Sequence, residues 1–336
     1  MYSASAPGVG SQAGWPRLLG DIGGTNARLG WLSEPGASIT GVRVWPCADF
    51  AGPVELMRAY LAQVGLPTPN SAVLGMANPV AGDAVQMTNL HWRFSVEAVR
   101  LELKLQRLLV LNDFTALALA IPSLPIEQLH PLGPACPTRN GPLGLIGAGT
   151  GLGVSGLLPV PGTTRWVPIT GEGGHVTLTA NDELEFAIIQ YLRSRFGHVS
   201  AERVLSGGGL VNLYHALVQV QGLPVSEITT PAELLAQGLT LADSTQRQAL
   251  DVFCGWLGSV AGDLALTLGA VGGIYIGGGI APRMREHLSK STFRQRFITK
   301  GRYLDYLQTI PTWLIDAPVS PALDGAALAL EMLNAV

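Results

Sequence analysis

A short polar segment near the start of the chain combines residue types that could bind phosphate. It lies between two apolar runs and contains Asp21, Gly23, Gly24, Thr25 and Asn26. Such a pattern predicts a β-hairpin, and successive N–H groups in its turn can form an anion-binding concavity. A carboxylate beside bound phosphates suggests an intervening Mg²⁺, which prefers oxygen ligands and waters. A plain surface turn also fits, because glycine and aspartate are common in turns.

A second glycine-rich segment, residues 147–156, follows the strand-like residues 143–146. It formally contains the Gly-x-Gly-x-x-Gly pattern of dinucleotide-binding proteins, but that pattern must open a helix. The next residues are Leu157, Leu158 and Pro159, which do not begin a helix. None of the three lysines follows a glycine, so a Walker-type loop is also excluded. Phosphates would therefore be held by backbone groups and a metal ion.

Asn112 and Asp113 follow the apolar residues 108–111 and precede a predicted helix over residues 116–120. Asparagine and aspartate are preferred helix caps, so capping alone would explain the pair. A carboxylate at a helix N-terminus is also stabilised as the anion. Asp113 would then stay ready to accept a proton, and both functions are compatible at this position.

The composition limits the classes of partner. The 336 residues suffice for two domains, and a hydrophobic fraction of 47% supplies a sizeable core. The net charge of −3 argues against a nucleic-acid partner, which would need clustered lysine and arginine. The three cysteines lie far apart, which argues against a structural zinc. An odd number without a disulfide pattern fits a reducing cytoplasm.

Two further segments bear on targeting. Residues 1–16 are rich in glycine, serine, alanine and proline, and they lack the basic start and apolar core of a signal peptide. We expect this segment to be a disordered tail. The apolar zone at residues 252–280 is interrupted by Asp263 and several glycines, so we expect no membrane-spanning helix there.

Hydrophobic periodicity places the polar segments at the ends of regular elements. After the first hairpin we predict strands at 39–45, 72–77 and 84–90, with helices at 53–64 and 95–105. Six prolines between residues 122 and 142 indicate the passage into a second domain. That half of the chain is predicted to contain a strand at 273–276 and helices at 184–195, 210–220, 249–268, 282–288 and 324–333.

Six short motifs follow one another along the chain. They are Gly20–Asn26, Leu111–Ala116, Gly147–Gly153, Gly171–His175, Ala201–Ser206 and Ile276–Gly279. In these motifs, and over nearly the whole length from Leu18 onward, the chain resembles the bacterial ATP-dependent glucokinases. These belong to the actin-like ATPase and hexokinase superfamily, in the group without the zinc-binding cysteine cluster. The resemblance implies an α/β fold with two ribonuclease-H-like (actin-like ATPase) domains flanking a cleft. The small domain would be 17–122 plus 318–336, and the large domain 123–317.

The resemblance also implies an activity, in which the γ-phosphate of ATP is transferred to the 6-hydroxyl of D-glucose with the help of Mg²⁺. The product is glucose 6-phosphate, at the entry to glycolysis, and Asp113 would be the catalytic residue that takes the hydroxyl proton. The implied glucose ligands are Asn112, Asp113, Glu172, His175 and Glu202. The implied ATP-binding residues are Asp21, Gly23, Gly24, Thr25, Asn26, Gly149, Thr150, Gly151, Gly277 and Gly278. Asp21 would also hold the metal indirectly, through water.

Several alternatives remain open. The chain could phosphorylate another hexose or an amino sugar in the same fold. A sugar-sensing repressor is disfavoured, because the segment before Arg17 is too short and too rich in glycine and proline for a helix-turn-helix. The polar set expected for a sugar argues against an actin-like ATP-binding protein. For the glucokinase interpretation the resemblance implies a cytoplasmic homodimer with small-molecule substrates and neither nucleic-acid nor membrane partners.

Overall fold

In this computed structural model the chain folds into two compact units, each with its own strands and helices. The structure describes residues 3–4, 14–80, 82–87, 90–134, 139–224, 230–318 and 320–332. Unit 1 comprises residues 1–124, 159–170 and 317–336, and unit 2 comprises residues 125–158 and 171–316.

The strands are, in chain order, β1 (Ser3–Ala4), β2 (Arg17–Ile22), β3 (Asn26–Leu32), β4 (Thr40–Pro46), β5 (Ser71–Met76), β6 (Ala84–Gln86), β7 (Arg93–Ser95), β8 (Arg107–Asn112), β9 (Leu129–Pro131), β10 (Leu143–Ala148), β11 (Leu152–Pro159), β12 (Trp166–Thr170), β13 (Gly273–Gly277) and β14 (Thr312–Ile315).

The α-helices are α1 (Pro53–Val64), α2 (Val96–Glu102), α3 (Asp113–Ala120), α4 (Glu183–Phe196), α5 (Gly207–Gln221), α6 (Pro231–Thr240), α7 (Thr245–Leu268), α8 (Arg285–Lys290), α9 (Phe293–Ile298), α10 (Leu304–Gln308) and α11 (Ala322–Met332).

Unit 1 contains a sheet with the strand order β1-β8-β5-β2-β3-β4. The three central strands β8, β5 and β2 are parallel, whereas β3 and β4 continue the sheet as an antiparallel meander. The central strands are almost entirely buried, as expected for parallel strands covered on both faces. Their last residues are level, because Ile22 pairs with Met76 and Met76 pairs with Asn112.

Unit 2 contains a second sheet, in which β11, β10, β13, β14 and β9 follow one another. The strands β10, β13 and β14 are parallel, and β10 and β11 form an antiparallel hairpin. Gly147 of β10 pairs with Gly277 of β13 near the carboxyl ends of both strands. The glycine-rich residues of the two strands therefore meet at one edge of this sheet.

Local sequence signals explain several helix ends in unit 1. α1 has the predicted bounds because Pro53 occupies its first position and Gly65 ends it in the left-handed conformation, with φ of 66°. α3 begins at Asp113, three residues earlier than the predicted 116–120, because the Asn112 side chain caps it. The predicted strand at 39–45 is confirmed within one residue as β4.

α7 is the one helix in the described part of the chain that is long and apolar enough to cross a membrane, judged by length and composition alone. Its residues Phe253, Trp256 and Leu257 are fully buried in the core of unit 2. About two thirds of its apolar stretch (67%) is buried within the protein. A helix that is hydrophobic on most sides is typical of the core of a large protein.

Some elements differ from the sequence prediction. The strand predicted at 84–90 is found as β6, which ends at Gln86, and residues 88 and 89 of that prediction lie outside the described residues. Residues 159–170 belong to unit 1 rather than to the second half of the chain. Within unit 1, β12 contacts α3, and Arg165 Nη2 donates a hydrogen bond to the Met332 carbonyl at 3.2 Å. These contacts give the segment its place in unit 1.

The predicted disordered tail, 1–16, falls mostly outside the described residues. Two of its residues form β1, where Ser3 pairs with Val110 and Ala4 with Leu109 of β8. At its end, the Trp15 ring lies 3.7 Å from the guanidinium carbon of Arg17. The residues of β1 and Trp15 therefore make regular contacts, which composition alone did not predict.

Candidate active site

The level ends of the central strands in unit 1 gather two predicted polar segments at one edge of the sheet. The turn from Gly23 to Asn26 follows β2, and Asn112 with Asp113 follows β8. β5 lies between these two strands, and a Cβ on its Gly75 would lie 3.6 Å from the Asp113 Cα. The carboxyl end of a parallel sheet is where ligands bind in open α/β proteins.

The first hairpin turn has a defined backbone. Gly23 N–H donates to the Asn26 carbonyl at 2.9 Å, and Cys47 N–H donates to the Thr25 carbonyl at 2.8 Å. Among the residues that the structure describes, none accepts a hydrogen bond from the backbone N–H of Gly24 or Thr25. These two N–H groups are thus available to an anion, as in other concave backbone sites.

Asp21 lies opposite Arg28 across the β2–β3 hairpin, and the two side chains form an ion pair with 2.8 Å between Oδ2 and Nη1. The sequence prediction did not include this arginine, although the short turn fixes the register that pairs the two residues. One Asp21 oxygen is occupied by Arg28, and the other remains for a water or a metal-bound water. A single carboxylate fits Mg²⁺, which usually binds one or two carboxylates, substrate phosphates and waters.

Asn112 and Asp113 are fixed by the N-terminus of α3. Asn112 Oδ1 accepts hydrogen bonds from the N–H groups of Phe114 and Thr115 at 2.9 and 3.2 Å, and its amide donates to the Asn78 carbonyl at 3.4 Å. Asp113 is the first residue of α3, where the helix dipole favours a carboxylate anion. The capping function predicted from sequence is confirmed, and it leaves Asp113 partly exposed.

In unit 2, the second hairpin turn comprises Gly149, Thr150 and Gly151. Gly149 N–H donates to the Gly151 carbonyl at 2.8 Å, and the Gly149 carbonyl accepts from Gly207 N–H, at the start of α5, also at 2.8 Å. Thr150 is exposed at the tip. The N-terminus of α5 was not predicted as part of the site, although Ser206 before three glycines is a recognisable helix-start signal.

The adenosine segment predicted at Gly277 and Gly278 packs directly against the second hairpin. A Cβ on Gly278 would lie 2.3 Å from the Ala148 carbonyl oxygen, and one on Gly147 would lie 2.4 Å from the Gly277 carbonyl carbon. Gly278 also has a φ of 81°, which favours glycine. Only residues without side chains permit this approach of the two backbones.

The predicted sugar ligands of unit 2 form one group, the sugar cluster: Glu172, His175 and Glu202. His175 N–H donates to the Glu172 carbonyl at 3.0 Å, and His175 Nδ1 lies 3.9 Å from Glu202 Oε1. Ala201 N–H donates to the Val176 carbonyl at 2.9 Å, which joins the two chain segments. The structure thus brings Glu202 to the neighbouring pair Glu172 and His175, which lie 30 and 27 positions earlier in the sequence.

The sugar cluster has its own electrostatics. Desolvation by neighbouring protein raises the pKa of Glu172, His175 lowers it, and the nearby Glu202 raises it. The Glu172 side chain is nevertheless open to solvent on one side. Two carboxylates and an imidazole at an accessible position offer hydrogen-bond acceptors and one group that donates or accepts. Among the described residues, no group of three or more histidine, cysteine, aspartate or glutamate side chains could hold a metal ion directly.

Comparison with known proteins assigns the chain to a family. The glucokinase family model matches residues 18–333. The chain belongs to the glucokinase family. A glucokinase from Aromatoleum aromaticum is 50% identical over 318 residues, which are 94% of this chain and 95% of the relative.

Solved structures agree with this assignment. The crystal structure of a glucokinase from an Antarctic psychrotroph has a TM-score of 0.82 and 36% identity, over 94% of this chain and 98% of that one. A glucokinase of the ROK family from Streptomyces griseus, in complex with glucose and AMPPNP, shares the fold with a TM-score of 0.60 and 19% identity, over 93% of this chain and 98% of that one. The resemblance found in the six motifs is confirmed, and so are the α/β actin-like ATPase fold class and the assignment as a sugar phosphotransferase.

Proposed function

We propose that the chain transfers the γ-phosphoryl group of ATP to the 6-hydroxyl of D-glucose, releasing ADP and glucose 6-phosphate. The observation that carries this proposal is the sugar cluster next to the second glycine hairpin of unit 2. The relative from Aromatoleum aromaticum is named a glucokinase, and the Streptomyces griseus structure holds glucose and AMPPNP. Both support glucose and ATP as the substrates.

Glucose presents several adjacent hydroxyl groups, so its site needs several acceptors. Glu172 and Glu202 each offer two carboxylate oxygens, and His175 donates or accepts according to its tautomer. Asn112 and Asp113 of unit 1 complete the proposed set of ligands. In this set, Asp113 accepts the proton of the 6-hydroxyl as that oxygen attacks the γ-phosphorus; it is the first residue of α3, and a helix N-terminus favours a carboxylate anion.

ATP is held mainly by backbone groups in this proposal. The N–H groups of Gly24 and Thr25 bind phosphate oxygens from the first hairpin, with Gly23 and Asn26 shaping the turn. Thr150 and its flanking glycines do so from the second hairpin, and Gly277 and Gly278 admit the adenosine. Mg²⁺ would neutralise the charge that develops on the phosphates. Asp21 would hold it through a water with the oxygen that Arg28 leaves open.

Three further features are part of the proposal. The chain acts as a homodimer in the cytoplasm, without nucleic-acid or membrane partners. Its functional domains are proposed at 17–122 plus 318–336 and at 123–317, and residues 159–170 of the latter range group with unit 1. The alternative substrate is another hexose or an amino sugar, because the same two carboxylates and imidazole would accept hydrogen bonds from its hydroxyl groups.

The test is ADP release by the purified chain with ATP and Mg²⁺ across a panel of sugars: glucose, mannose, fructose, glucosamine and N-acetylglucosamine. We expect the highest kcat/KM with glucose. A higher kcat/KM with another sugar would change the substrate, and ADP release independent of any sugar would contradict a sugar kinase.

A further inference from the structure

The sugar cluster is joined to the second glycine hairpin through one carboxylate. Glu202 Oε2 accepts a hydrogen bond from Leu152 N–H at 2.9 Å, where the hairpin turn enters β11. The other oxygen, Oε1, is the one that lies 3.9 Å from His175 Nδ1. A carboxylate has about four acceptor positions, so the bond to Leu152 leaves Glu202 able to accept hydroxyl groups of a sugar.

Gly151 is the residue that allows this contact. A Cβ at Gly151 would lie 2.4 Å from Glu202 Oε2 and 3.3 Å from the Glu202 carboxyl carbon. Since that separation is far below van der Waals contact, any side chain at position 151 would displace the carboxylate. Gly149 belongs to the same turn, but a Cβ there would meet nothing within 4 Å. Neither glycine has a φ in the left-handed region, so both positions tolerate alanine on backbone grounds.

The backbone of Glu202 is held in place, so a clash at position 151 must move its side chain. Ala201 N–H donates to the Val176 carbonyl at 2.9 Å, and Ser206 Oγ donates to the Glu202 carbonyl at 2.9 Å. Ser206 is in turn the N-cap of α5, with its Oγ accepting from Gly209 N–H. Rotation of the carboxylate away from Leu152 is therefore the available response, and it changes the position of Glu202 relative to His175.

The geometry points to Gly151 as a positioning residue for the sugar site. Because it has no side chain, the Glu202 carboxylate docks on the hairpin, and the hairpin proposed to bind ATP phosphates also fixes a proposed glucose ligand. This inference rests on the proposed function and deepens it. Its consequence is that glucose affinity depends on the residue at position 151 even when no nucleotide is present.

The direct test is calorimetric titration of glucose, without nucleotide, into the wild-type chain and two variants. Gly151→Ala is expected to raise the Kd for glucose about tenfold, the effect of misplacing one charged hydrogen-bonding group. Binding is measured without nucleotide because Gly151 also belongs to the turn proposed to bind ATP phosphates, so turnover would report on both substrates at once. Gly149→Ala should leave the glucose Kd within about twofold of wild type, even if it weakens ATP binding. Thermal unfolding establishes that both variants are folded.

A rescue experiment separates positioning from general damage to the hairpin. Glu202→Asp shortens the side chain by one methylene group and removes the clash with a residue at position 151. In the E202D background, adding Gly151→Ala should change the glucose Kd less than about threefold. Such non-additivity is the sign of two residues that act through direct contact.

A measurement on the unmodified chain does not depend on the folding of any variant. The amide resonance of Leu152 should shift on addition of glucose, because the carboxylate that accepts its hydrogen bond then also accepts hydrogen bonds from the sugar. An amide that does not respond to glucose would overturn the inference. A wild-type glucose Kd in Gly151→Ala, an equal loss in Gly149→Ala, or additive losses in E202D would overturn it as well. Failure of the wild-type chain to bind glucose would instead contradict the proposed function itself.

Discussion

The two glycine hairpins resemble each other in sequence but differ in what holds their turns. In the first turn, the Thr25 carbonyl accepts a hydrogen bond from Cys47 N–H, directly after the neighbouring strand β4. The carboxylate of Asp21 is paired with Arg28 of the same hairpin. The second turn is held by two segments that come about 50 residues later in the chain. Gly207 N–H bonds the Gly149 carbonyl, and Leu152 N–H bonds Glu202.

This difference distinguishes the two proposed phosphate sites. The first hairpin is self-contained, so a change in its turn should affect the nucleotide and leave the sugar ligands of unit 2 in place. The second hairpin shares a carboxylate with the sugar cluster, so a change at Gly151, which contacts that carboxylate, should affect both substrates. The following predictions test this division, beginning with the largest expected effect.

Asp113 follows the strand that ends level with the first hairpin, and it is the proposed base. Asp113→Asn keeps the helix start but removes the proton acceptor, so kcat should fall by about 10²–10⁴. Glucose binding by calorimetry should persist, since an amide oxygen still accepts a hydrogen bond. Turnover within a few-fold of wild type would remove Asp113 from the base role. Asn112→Asp is the comparison variant, because it keeps a capping side chain next to an unchanged Asp113.

Gly24→Val tests the independence of the first hairpin. The added side chain should occupy space that the phosphates need, and overpacking of about 1–3 kcal/mol corresponds to a rise in KM for ATP of about 5- to 150-fold. The glucose Kd without nucleotide should stay within about twofold, in contrast to Gly151→Ala. An unchanged KM for ATP in the folded variant would refute the phosphate role of this turn. A parallel loss of glucose affinity would show that the first hairpin is not self-contained.

Arg28→Gln should have a smaller effect. It removes the positive charge of Arg28 next to the Asp21 carboxylate. A nearby cation is then repelled less, and both Asp21 oxygens can accept hydrogen bonds from water. We expect the Mg²⁺ concentration for half-maximal rate to fall about two- to fivefold, in line with the modest strength of partly exposed ion pairs. Initial rates at fixed ATP and varied Mg²⁺ measure it. An increase in the Mg²⁺ requirement would place Arg28, rather than the metal, on the phosphates.

The smallest effect concerns Glu172. Desolvation raises its pKa in the folded chain above the ordinary value of 4.5. The folded chain therefore binds this proton more readily than the unfolded chain. The contribution of the protonated Glu172 to the free energy of unfolding is complete below pH 4.5 and is lost as pH rises through the folded pKa. At pH 7, Glu172→Gln should melt at the same temperature or slightly higher than wild type. The difference should vanish at lower pH in thermal unfolding scans. A clear drop in melting temperature at pH 7 would mean that the fold stabilises the ionised carboxylate more than burial destabilises it.

Much of the fold followed from local signals that act within a few residues. Pro53 and Gly65 define α1 at both ends, and Asn112 caps α3 as its residue type predicts. The first glycine hairpin was predicted from apolar runs on both sides of a polar turn, and the structure confirms it. The second glycine-rich segment was identified through the resemblance, and it forms a hairpin too. Short elements with little periodicity were missed, such as β14, which has four residues after Pro311.

The contacts that connect distant segments could not be predicted in this way. The bond between Glu202 and Leu152 joins residues 50 positions apart, and nothing in either local sequence specifies it. The inclusion of residues 159–170 in unit 1 likewise depends on tertiary contacts such as that of Arg165 with Met332. The pairing of Asp21 with Arg28 could be predicted in part, because it follows from the register of one short hairpin.

The most direct test of the account is a crystal structure of the wild-type chain with glucose. We predict glucose hydroxyls within about 3.2 Å of Glu172, His175 and Glu202, with Glu202 Oε2 still accepting the hydrogen bond from Leu152 N–H and Oε1 accepting from the sugar. Glucose bound away from these three side chains would contradict the proposed site. Glucose bound to Glu202 after that carboxylate has left Leu152 would contradict the link between the second hairpin and the sugar cluster.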